Sequence, residues 1–379
     1  MRIPILIVLL LFTACNASQK LSKSQQASIQ KTLNDLVAKN KIPGINFSYI
    51  DSLGNQYDFA AGYENTKTQT SLQTTHKMFS GSVGKTYVAA IVLQLVEEGK
   101  FNLEDKVLQH LPKYKWLQRL PNINDITIEM LLSHTSGLPR WVLKPAVWET
   151  LAKNPNKIWT YEDQLYHIFD HTTLHKAGES WAYSDTNYIL LGLLIETVLN
   201  QKYADIIHAR ILQPYNLNDT QLSDSRDINR LAMGYSELPA FFQIPNQVIN
   251  SEGLYFAHPQ FEWTGGGMVS TTADLAKWTK LYYTSDIIPS SFKTKMTTIN
   301  PHGKNVMSGS DSYGMGSFIY TINNQVAYGH GGLMPGYNTL IAYFPKTNQA
   351  FAFQVNCDYA GREMSLKGYL GEVLRSLEL

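Results

Sequence analysis

The sequence has little of what several classes of protein depend on. It contains only two cysteines, Cys15 and Cys357, and its formal net charge is +1. Charged residues make up 17% of the chain, and no block of lysine and arginine is interleaved with aromatic residues. A nearly neutral chain attracts polyanions weakly, which argues against a nucleic-acid partner. With so few cysteines, the fold must depend on its hydrophobic core rather than on disulfide bonds.

Long hydrophobic runs are also missing. The apolar run Ile3–Phe12 is shorter than the roughly 20 residues that a membrane-spanning helix needs. Small residues and Cys15 follow it, which predicts a signal peptide over residues 1–15 with an end that resembles the lipobox of bacterial lipoproteins. Ordinary cleavage near Ala17, with Cys15 discarded, is the alternative. We therefore expect an exported protein whose N-terminal lipid on Cys15 holds it to a membrane, facing the periplasm or the cell surface.

The rest of the chain indicates a short tether and one domain. Residues 16–24 are mostly small and polar, as suits a tether, and residues 25–379 form the predicted domain. Apolar residues at periods of two and 3.6 predict its strands and helices. The predicted strands are Ile45–Ile50, Tyr57–Ala61, Phe318–Ile322, Gln325–Tyr328, Asn338–Phe344 and Ala350–Val355. The predicted helices include Gln25–Ala38, Val83–Val96, Tyr188–Leu199 and Arg362–Leu377.

These elements predict an α+β fold. Strands near both ends imply one antiparallel sheet built from N- and C-terminal segments and flanked by helices. The stretch of roughly residues 102–285 has mainly helical patterns, so we expect a helical insert, with a cleft where it meets the sheet. A helix in this insert should begin at Thr271, because Thr271-x-x-Asp274 fits a capping box.

A Ser-x-x-Lys pattern at Ser82 and Lys85 is the first candidate for chemistry. The pattern also occurs from Ser28 and from Ser290, so it is not specific by itself. Only Ser82 stands at the start of the most apolar helix, where free N–H groups and the helix dipole favour a developing anion. Residues at i and i+3 share a helix face, and burial would favour the free-base form of Lys85. A capping serine beside a solvated lysine is the structural alternative.

Two later segments supply further candidates. In the first, a loop enters a helix at Tyr183, with Asp185 and Asn187 close behind. A tyrosine there can relay a proton, and the other two can hold the lysine and a substrate amide. In the second, His330 and Gly332 lie in a glycine-rich run where a ligand can approach the backbone, and where an N–H can face a substrate oxyanion. The structural alternatives are that Tyr183 is packed in the core with its hydroxyl satisfied and that His330 is a surface residue of a hairpin turn.

These three elements, in this order, resemble the serine β-lactamase and DD-peptidase superfamily. The resemblance is greatest to the branch with class C β-lactamases, D-Ala-D-Ala carboxypeptidases, D-aminopeptidases and esterases. It covers nearly the whole mature chain, since the segments 79–86, 95–100, 131–139 and 265–274 match as well. It implies a β-lactamase/transpeptidase-like fold and needs no cofactor or metal.

The resemblance also implies roles for individual residues. Ser82 would be the acylated nucleophile, Lys85 and Tyr183 the base and acid, and the N–H groups of Ser82 and Leu333 the oxyanion hole. His134 would be structural. Asp185 stands where many members have Asn, and His330 replaces the lysine of class C β-lactamases. The His-x-Gly form is similar to that of certain carboxypeptidases and D-aminopeptidases, so His330 is expected to read a substrate's charged end.

Substrates expected from this resemblance are D-amino-acid peptides, β-lactams or esters. A sensor that β-lactam or peptidoglycan acylates without turnover, and a carboxylesterase, remain alternatives. A nucleotide-binding P-loop is excluded, because Phe79 stands where the first glycine is required. An α/β-hydrolase is excluded because the chain contains no Gly-x-Ser-x-Gly pentapeptide.

Overall fold

A computed structural model of the chain describes residues 20–306, 311–359 and 365–377. The expected signal peptide, the lipidation site Cys15 and the first part of the tether lie outside the described residues. None of the helices in the described ranges is long and apolar enough to cross a bilayer.

The described chain alternates helices with short and long strands. The strands are β1 (Gly44–Ile50), β2 (Gln56–Asn65), β3 (Thr70–Ser71), β4 (Met78–Phe79), β5 (Gln221–Leu222), β6 (Met268–Ser270), β7 (Ser312–Tyr313), β8 (Phe318–Ile322), β9 (Gln325–Met334), β10 (Tyr337–Phe344) and β11 (Gln349–Val355). The α-helices are α1 (Lys23–Asn40), α2 (Gly84–Glu97), α3 (Val107–His110), α4 (Ile128–Leu132), α5 (Pro145–Lys153), α6 (Tyr161–Tyr166), α7 (Asp185–Leu199), α8 (Tyr203–Ile207), α9 (Thr272–Thr284), α10 (Ser290–Thr297) and α11 (Leu366–Ser376).

The central sheet joins the two ends of the chain, as the sequence predicts. Its eight strands are antiparallel and run in the order β3-β2-β1-β11-β10-β9-β8-β7. The join is the pairing of β1 with β11, in which Phe47 lies opposite Phe353. Every residue of these two strands is buried, because the sheet is covered on both faces.

Helices cover the two faces of the sheet. Helices α1 and α11 pack on one face, where Leu33 and Leu370 belong to the same apolar cluster as Phe47 and Phe353. Helix α9 packs on the other face, next to a larger core that contains α2 and α7. Eleven residues of α2 are buried, so this helix lies inside the protein, as its all-round apolar pattern predicts.

Residues 102–285 contain helices α3 to α9 and only the short strands β5 and β6. The side chain of Thr271 caps α9 by accepting a hydrogen bond from the backbone N–H of Asp274. The reciprocal contact expected of a capping box is absent from this end of α9. The Asp274 carboxylate instead accepts hydrogen bonds from the N–H of Asp219 at 2.8 Å and the hydroxyl of Thr220 at 2.9 Å.

Candidate active site

Ser82 lies in a single 3₁₀ turn, Gly81–Val83, that leads directly into α2. Gly81 has a φ of +50°, and a Cβ atom there would lie 2.6 Å from the backbone nitrogen of Leu333, so only glycine fits. Ser82 lines a cavity of about 520 Å³ between the sheet and the helical region. The nucleophile candidate is therefore held at a helix start and open to a ligand.

Lys85 is fully buried and makes three contacts from its ammonium group. Its Nζ lies 3.0 Å from Ser82 Oγ and 2.8 Å from Asp185 Oδ1, and it donates to the carbonyl of Gly265. Burial is the largest influence on the pKa of Lys85 and lowers it, but Asp185, Tyr183 and Glu262 together outweigh burial, and the net effect raises the pKa above its ordinary value. The expectation that burial makes Lys85 a free base in the resting protein is therefore wrong.

Asp185 is the first residue of α7 and binds two cations. Its Oδ1 accepts from Lys85, and its Oδ2 accepts from Nε of Arg140 at 2.8 Å, with Nη2 of Arg140 also 2.8 Å away. Burial would raise the pKa of Asp185, but Arg140 and Lys85 hold it well below its ordinary value. The buried carboxylate of Asp185 is thus balanced by two cations, Lys85 and Arg140.

The ring of Tyr183 lies between these cations. Lys85 Nζ is 5.0 Å and the Arg140 guanidinium carbon 5.2 Å from the centroid of the ring. Burial raises the pKa of the Tyr183 hydroxyl, and Lys85 lowers it only in part. Ser82 and Lys85 lie near enough to this hydroxyl to lower its pKa, although it makes no hydrogen bond of ordinary geometry within the described part of the chain. The structure brings Ser82, Lys85 and Tyr183 together, with both proton-handling candidates protonated at rest.

His330 lines the cavity from the interior of β9 but carries no charge at neutral pH. Burial, with the nearby charge of Lys85, lowers its pKa to about 3. Its Nδ1 lies 2.6 Å from the carbonyl oxygen of Gly331, so Nδ1 carries the proton, and Nε2 accepts from the hydroxyl of Tyr313 at 3.3 Å. His330 is therefore neutral without a ligand, and its recognition of a substrate carboxylate stays a prediction.

The glycine-rich run forms the second half of β9, which continues six residues beyond the predicted end of the strand at Tyr328. A Cβ atom on Gly332 would lie 1.9 Å from the carbonyl oxygen of Ser80 and 3.0 Å from the nitrogen of Ser82. Glycine at this position lets β9 touch the turn that carries Ser82. The backbones of Ser82 and Leu333 are consequently neighbours, and both residues line the cavity.

Asn187 does not take part in the cavity. It is fully buried, its side-chain oxygen accepts from the Ser136 hydroxyl at 2.6 Å, and its amide nitrogen lies 3.1 Å from Nδ1 of His134. His134 also accepts from the backbone N–H of Ser184. The prediction that Asn187 binds substrate is wrong, because this network holds the loop before α7 in place and uses both ends of the amide.

Two charged residues of the cavity, Arg140 and Glu262, are not indicated by the sequence patterns. Arg140 follows the matched segment 131–139, and the signal that could have found it is the buried Asp185, which needs a compensating charge. Glu262 stands three residues before Gly265 and lines the same cavity. Burial and the charge of Asp185 raise its pKa to about 7, against the opposing effects of Lys85 and Arg140. No sequence pattern marks Glu262.

Comparison with known proteins agrees with this architecture. Protein flp of Staphylococcus aureus (strain N315) is 26% identical over 346 residues, covering 89% of this chain and 64% of that protein. Penicillin-binding protein 4* of Bacillus subtilis (strain 168) is 29% identical over 304 residues, covering 75% of this chain and 62% of that protein. The chain thus spans less than two thirds of the length of these curated relatives.

Solved structures match the fold over nearly the whole chain. The D-amino acid amidase of Ochrobactrum anthropi SV3 has a TM-score of 0.79 at 21% identity, covering 93% of this chain and 98% of that one. A D-stereospecific amidohydrolase from Streptomyces sp. has a TM-score of 0.76 at 24% identity, with 92% and 98% covered. The predicted β-lactamase/transpeptidase-like fold is confirmed. Because the Beta-lactamase family model matches residues 29–374, the chain belongs to the Beta-lactamase family.

Proposed function

We propose that this chain is a serine hydrolase in which Ser82 forms an acyl-enzyme with amides, peptides or esters of D-amino acids. The observation that carries the proposal is the 3.0 Å contact between Ser82 Oγ and Lys85 Nζ at the wall of a ligand-sized cavity. The geometry fits a nucleophile beside a proton-handling partner that a third group orients, here Asp185. The two solved structures with the same fold, a D-amino acid amidase and a D-stereospecific amidohydrolase, support the substrate class.

The proposed reaction has two steps. Ser82 Oγ bonds to the substrate carbonyl carbon, the bond from that carbon to the leaving group breaks, and the proton of the serine passes through Lys85 and Tyr183 to the leaving amine or alcohol. Water then attacks the acyl-enzyme ester, releases the acid and returns the proton to Ser82. Backbone N–H groups of Ser82 and Leu333 are the proposed donors to the oxyanion of both steps.

The resting protonation state sets a requirement on the first step. The pKa values of Lys85 and of Tyr183 are both raised, so each group holds its proton at neutral pH. One proton must leave this pair before it can accept another from Ser82. The proposal therefore implies that acylation becomes faster as pH rises above neutrality, until the pair has lost that proton.

The test of the proposed function uses purified protein and a substrate panel. D-alanine p-nitroanilide, its L-enantiomer, a p-nitrophenyl ester and a chromogenic cephalosporin are compared for turnover, and a fluorophosphonate probe reports the nucleophile. We expect preference for the D-enantiomer over the L-enantiomer, and loss of labelling and turnover in Ser82→Ala. The matched controls Ser28→Ala and Ser290→Ala, at the other two Ser-x-x-Lys patterns, should keep both. Labelling that survives Ser82→Ala, or one equivalent of acylation without turnover, would contradict the proposal.

Export and lipid attachment at Cys15 belong to the same proposal. Their support is the short apolar run and the small residues that precede Cys15. Two or more acyl chains would hold the protein stably at a membrane, whereas one chain binds only marginally.

A further inference from the structure

The charged side chains that line the cavity in the described part of the chain are, with one exception, in ion pairs. Arg140 is bound to Asp185, and Lys367 is bound to Asp311. The exception is Glu262, whose carboxylate makes no hydrogen bond or ion pair to any residue in the described ranges. The cavity therefore offers a ligand one carboxylate without a direct partner, whereas the two cations that line it in the described ranges already form ion pairs.

Glu262 is held close to the proton-handling group. It caps the short 3₁₀ helix Trp263–Gly265, and its carbonyl accepts from the N–H of Gly265 at 2.7 Å. A Cβ atom placed on Gly265 would lie 3.3 Å from Glu262 Oε2. The carbonyl of this same glycine accepts from Lys85, whose Nζ is 3.0 Å from Ser82 Oγ. The carboxylate thus lies beside the glycine that Lys85 binds, and Glu262 and Ser82 line the same cavity.

The surroundings of Glu262 favour an incoming cation over an incoming anion. The side chain is only partly exposed, and the negative charge of Asp185 is nearby. Lys85 and Arg140 are the cations that act on Glu262, but both are hydrogen-bonded to Asp185. A substrate carboxylate at this place would face the carboxylate of Glu262, and the cations that line the cavity in the described part of the chain are already in ion pairs. A substrate ammonium would instead supply the partner that the Glu262 carboxylate lacks.

We propose that Glu262 binds the α-ammonium group of the substrate, so that the preferred substrates are D-aminoacyl amides, peptides or esters with a free amino terminus. This inference rests on the proposed function, because it assumes that the substrate acylates Ser82. An α-ammonium group is separated from the scissile carbonyl carbon by a single carbon atom, so it would stay close to Ser82, in the cavity that Glu262 also lines. The specificity would be that of an amidase or aminopeptidase rather than a carboxypeptidase.

The test compares matched substrates in wild type, in Glu262→Gln and in the control Glu252→Gln. Glu252 is an exposed glutamate that does not line the cavity, so its replacement removes the same charge elsewhere. The substrates are D-alanine p-nitroanilide, its N-acetyl derivative, and Nα-acetyl-D-lysine p-nitroanilide, in which the ammonium is on the side chain.

We expect Glu262→Gln to reduce kcat/KM for D-alanine p-nitroanilide by about 10- to 100-fold, as for loss of a charge-assisted hydrogen bond, with most of the change in KM. The N-acetyl substrate should change less than about threefold, and Glu252→Gln should leave both unchanged. An equal loss on both alanine substrates, or no loss on either, would overturn the inference. A loss confined to the acetylated lysine substrate would also overturn it, because the ammonium would then come from a side chain.

Failure of this inference is distinguishable from failure of the proposed function. The fluorophosphonate probe carries no ammonium group, so wild type and Glu262→Gln should both be labelled at Ser82. If neither protein is labelled, the nucleophile assignment fails. If both are labelled but substrate discrimination is unchanged, only the role of Glu262 fails.

Discussion

The charge of Asp185 is predicted to set the pH at which Ser82 becomes reactive, and Asp185→Asn is the direct perturbation. Asp185 Oδ1 lies 2.8 Å from Lys85 Nζ, and its charge raises the pKa of Lys85. An opposite charge at this range shifts a pKa by about 1–3 units. Replacing Asp185 by the neutral, isosteric asparagine should therefore lower the pKa of Lys85 and move the rise of acylation rate to lower pH by about 1–3 units.

Arg140→Gln should move the same profile in the opposite direction. In the wild type, Arg140 shares the charge of Asp185 with Lys85 and is itself a like charge near that lysine. Without Arg140, the carboxylate faces Lys85 alone, so the pKa of Lys85 should rise and acylation should require a higher pH. The double variant of Asp185→Asn and Arg140→Gln removes one negative and one positive charge near Lys85. The pH dependence of its acylation rate should therefore fall between those of the two single variants.

The assay is the second-order rate of fluorophosphonate labelling between pH 6 and pH 10. This probe has no ionisable group near the site, so the profile reports the protein. Glu262 titrates near pH 7, and the series is therefore repeated in a Glu262→Gln background, where the shifts should persist. Shifts of Asp185→Asn and Arg140→Gln in the same direction, or profiles that coincide with wild type, would refute the reasoning.

Three other predictions follow from the fold, the buried ion pair and the N-terminal pattern. Gly332→Ala should lower the urea midpoint of unfolding, because the new Cβ would lie 1.9 Å from the Ser80 carbonyl oxygen. The control Gly331→Ala, in which the nearest contact of the new Cβ would be 3.7 Å, should leave the midpoint unchanged. Equal midpoints in the two variants would contradict this prediction. Asp185→Asn should reduce the unfolding free energy by about 3 kcal/mol at pH 7, as for a broken buried pair. Since the folded-state pKa of Asp185 is depressed, this loss should be complete above about pH 4 and shrink as pH falls below it; a loss that persists unchanged at pH 2 would count against the pair. Cys15→Ser should abolish incorporation of labelled fatty acid in a bacterial host, and a soluble mature protein that begins after Cys15 would refute lipid attachment.

The parts of the fold that the sequence predicts well are those with strong periodicity. Helix α2 is apolar on all sides, and its bounds differ from the prediction by one residue at each end. Strand β8 has the predicted bounds, since it is a short apolar segment between turns. The sequence predicts that strand β9 ends at Tyr328, because glycines weaken a strand pattern. The strand continues to Met334, and its glycines permit close packing against the turn at Ser82.

Local spacing predicts which groups meet, but not the charges they carry. Ser82 and Lys85 share a helix face, and this contact follows from the sequence alone. The protonation of Lys85 depends on Asp185, about 100 residues away, and that of His330 depends on its complete burial. Such effects require the three-dimensional arrangement, in which Asp185 and its neighbours together outweigh desolvation at Lys85, whereas desolvation prevails at His330.

Side-chain partners from separate segments are equally hidden in the sequence. Asn187 is at a suitable spacing from Tyr183, yet its amide is used by Ser136 and His134. Arg140 and Glu262 reach the cavity from segments that carry no recognisable pattern at those positions. A buried aspartate in place of the usual asparagine is a cue that a cation must be near, although it does not say which one.

The central claim, that substrate acylates Ser82, is tested most directly by trapping the acyl-enzyme. Protein mixed with a p-nitrophenyl ester of D-alanine is quenched in acid within milliseconds, digested with trypsin and analysed by mass spectrometry. The peptide Met78–Lys85 contains two serines, Ser80 and Ser82, so fragmentation must locate the added group. The account predicts a D-alanyl adduct on Ser82 that disappears as turnover proceeds. An adduct on Ser80, on another peptide, or on none at all during turnover would contradict it.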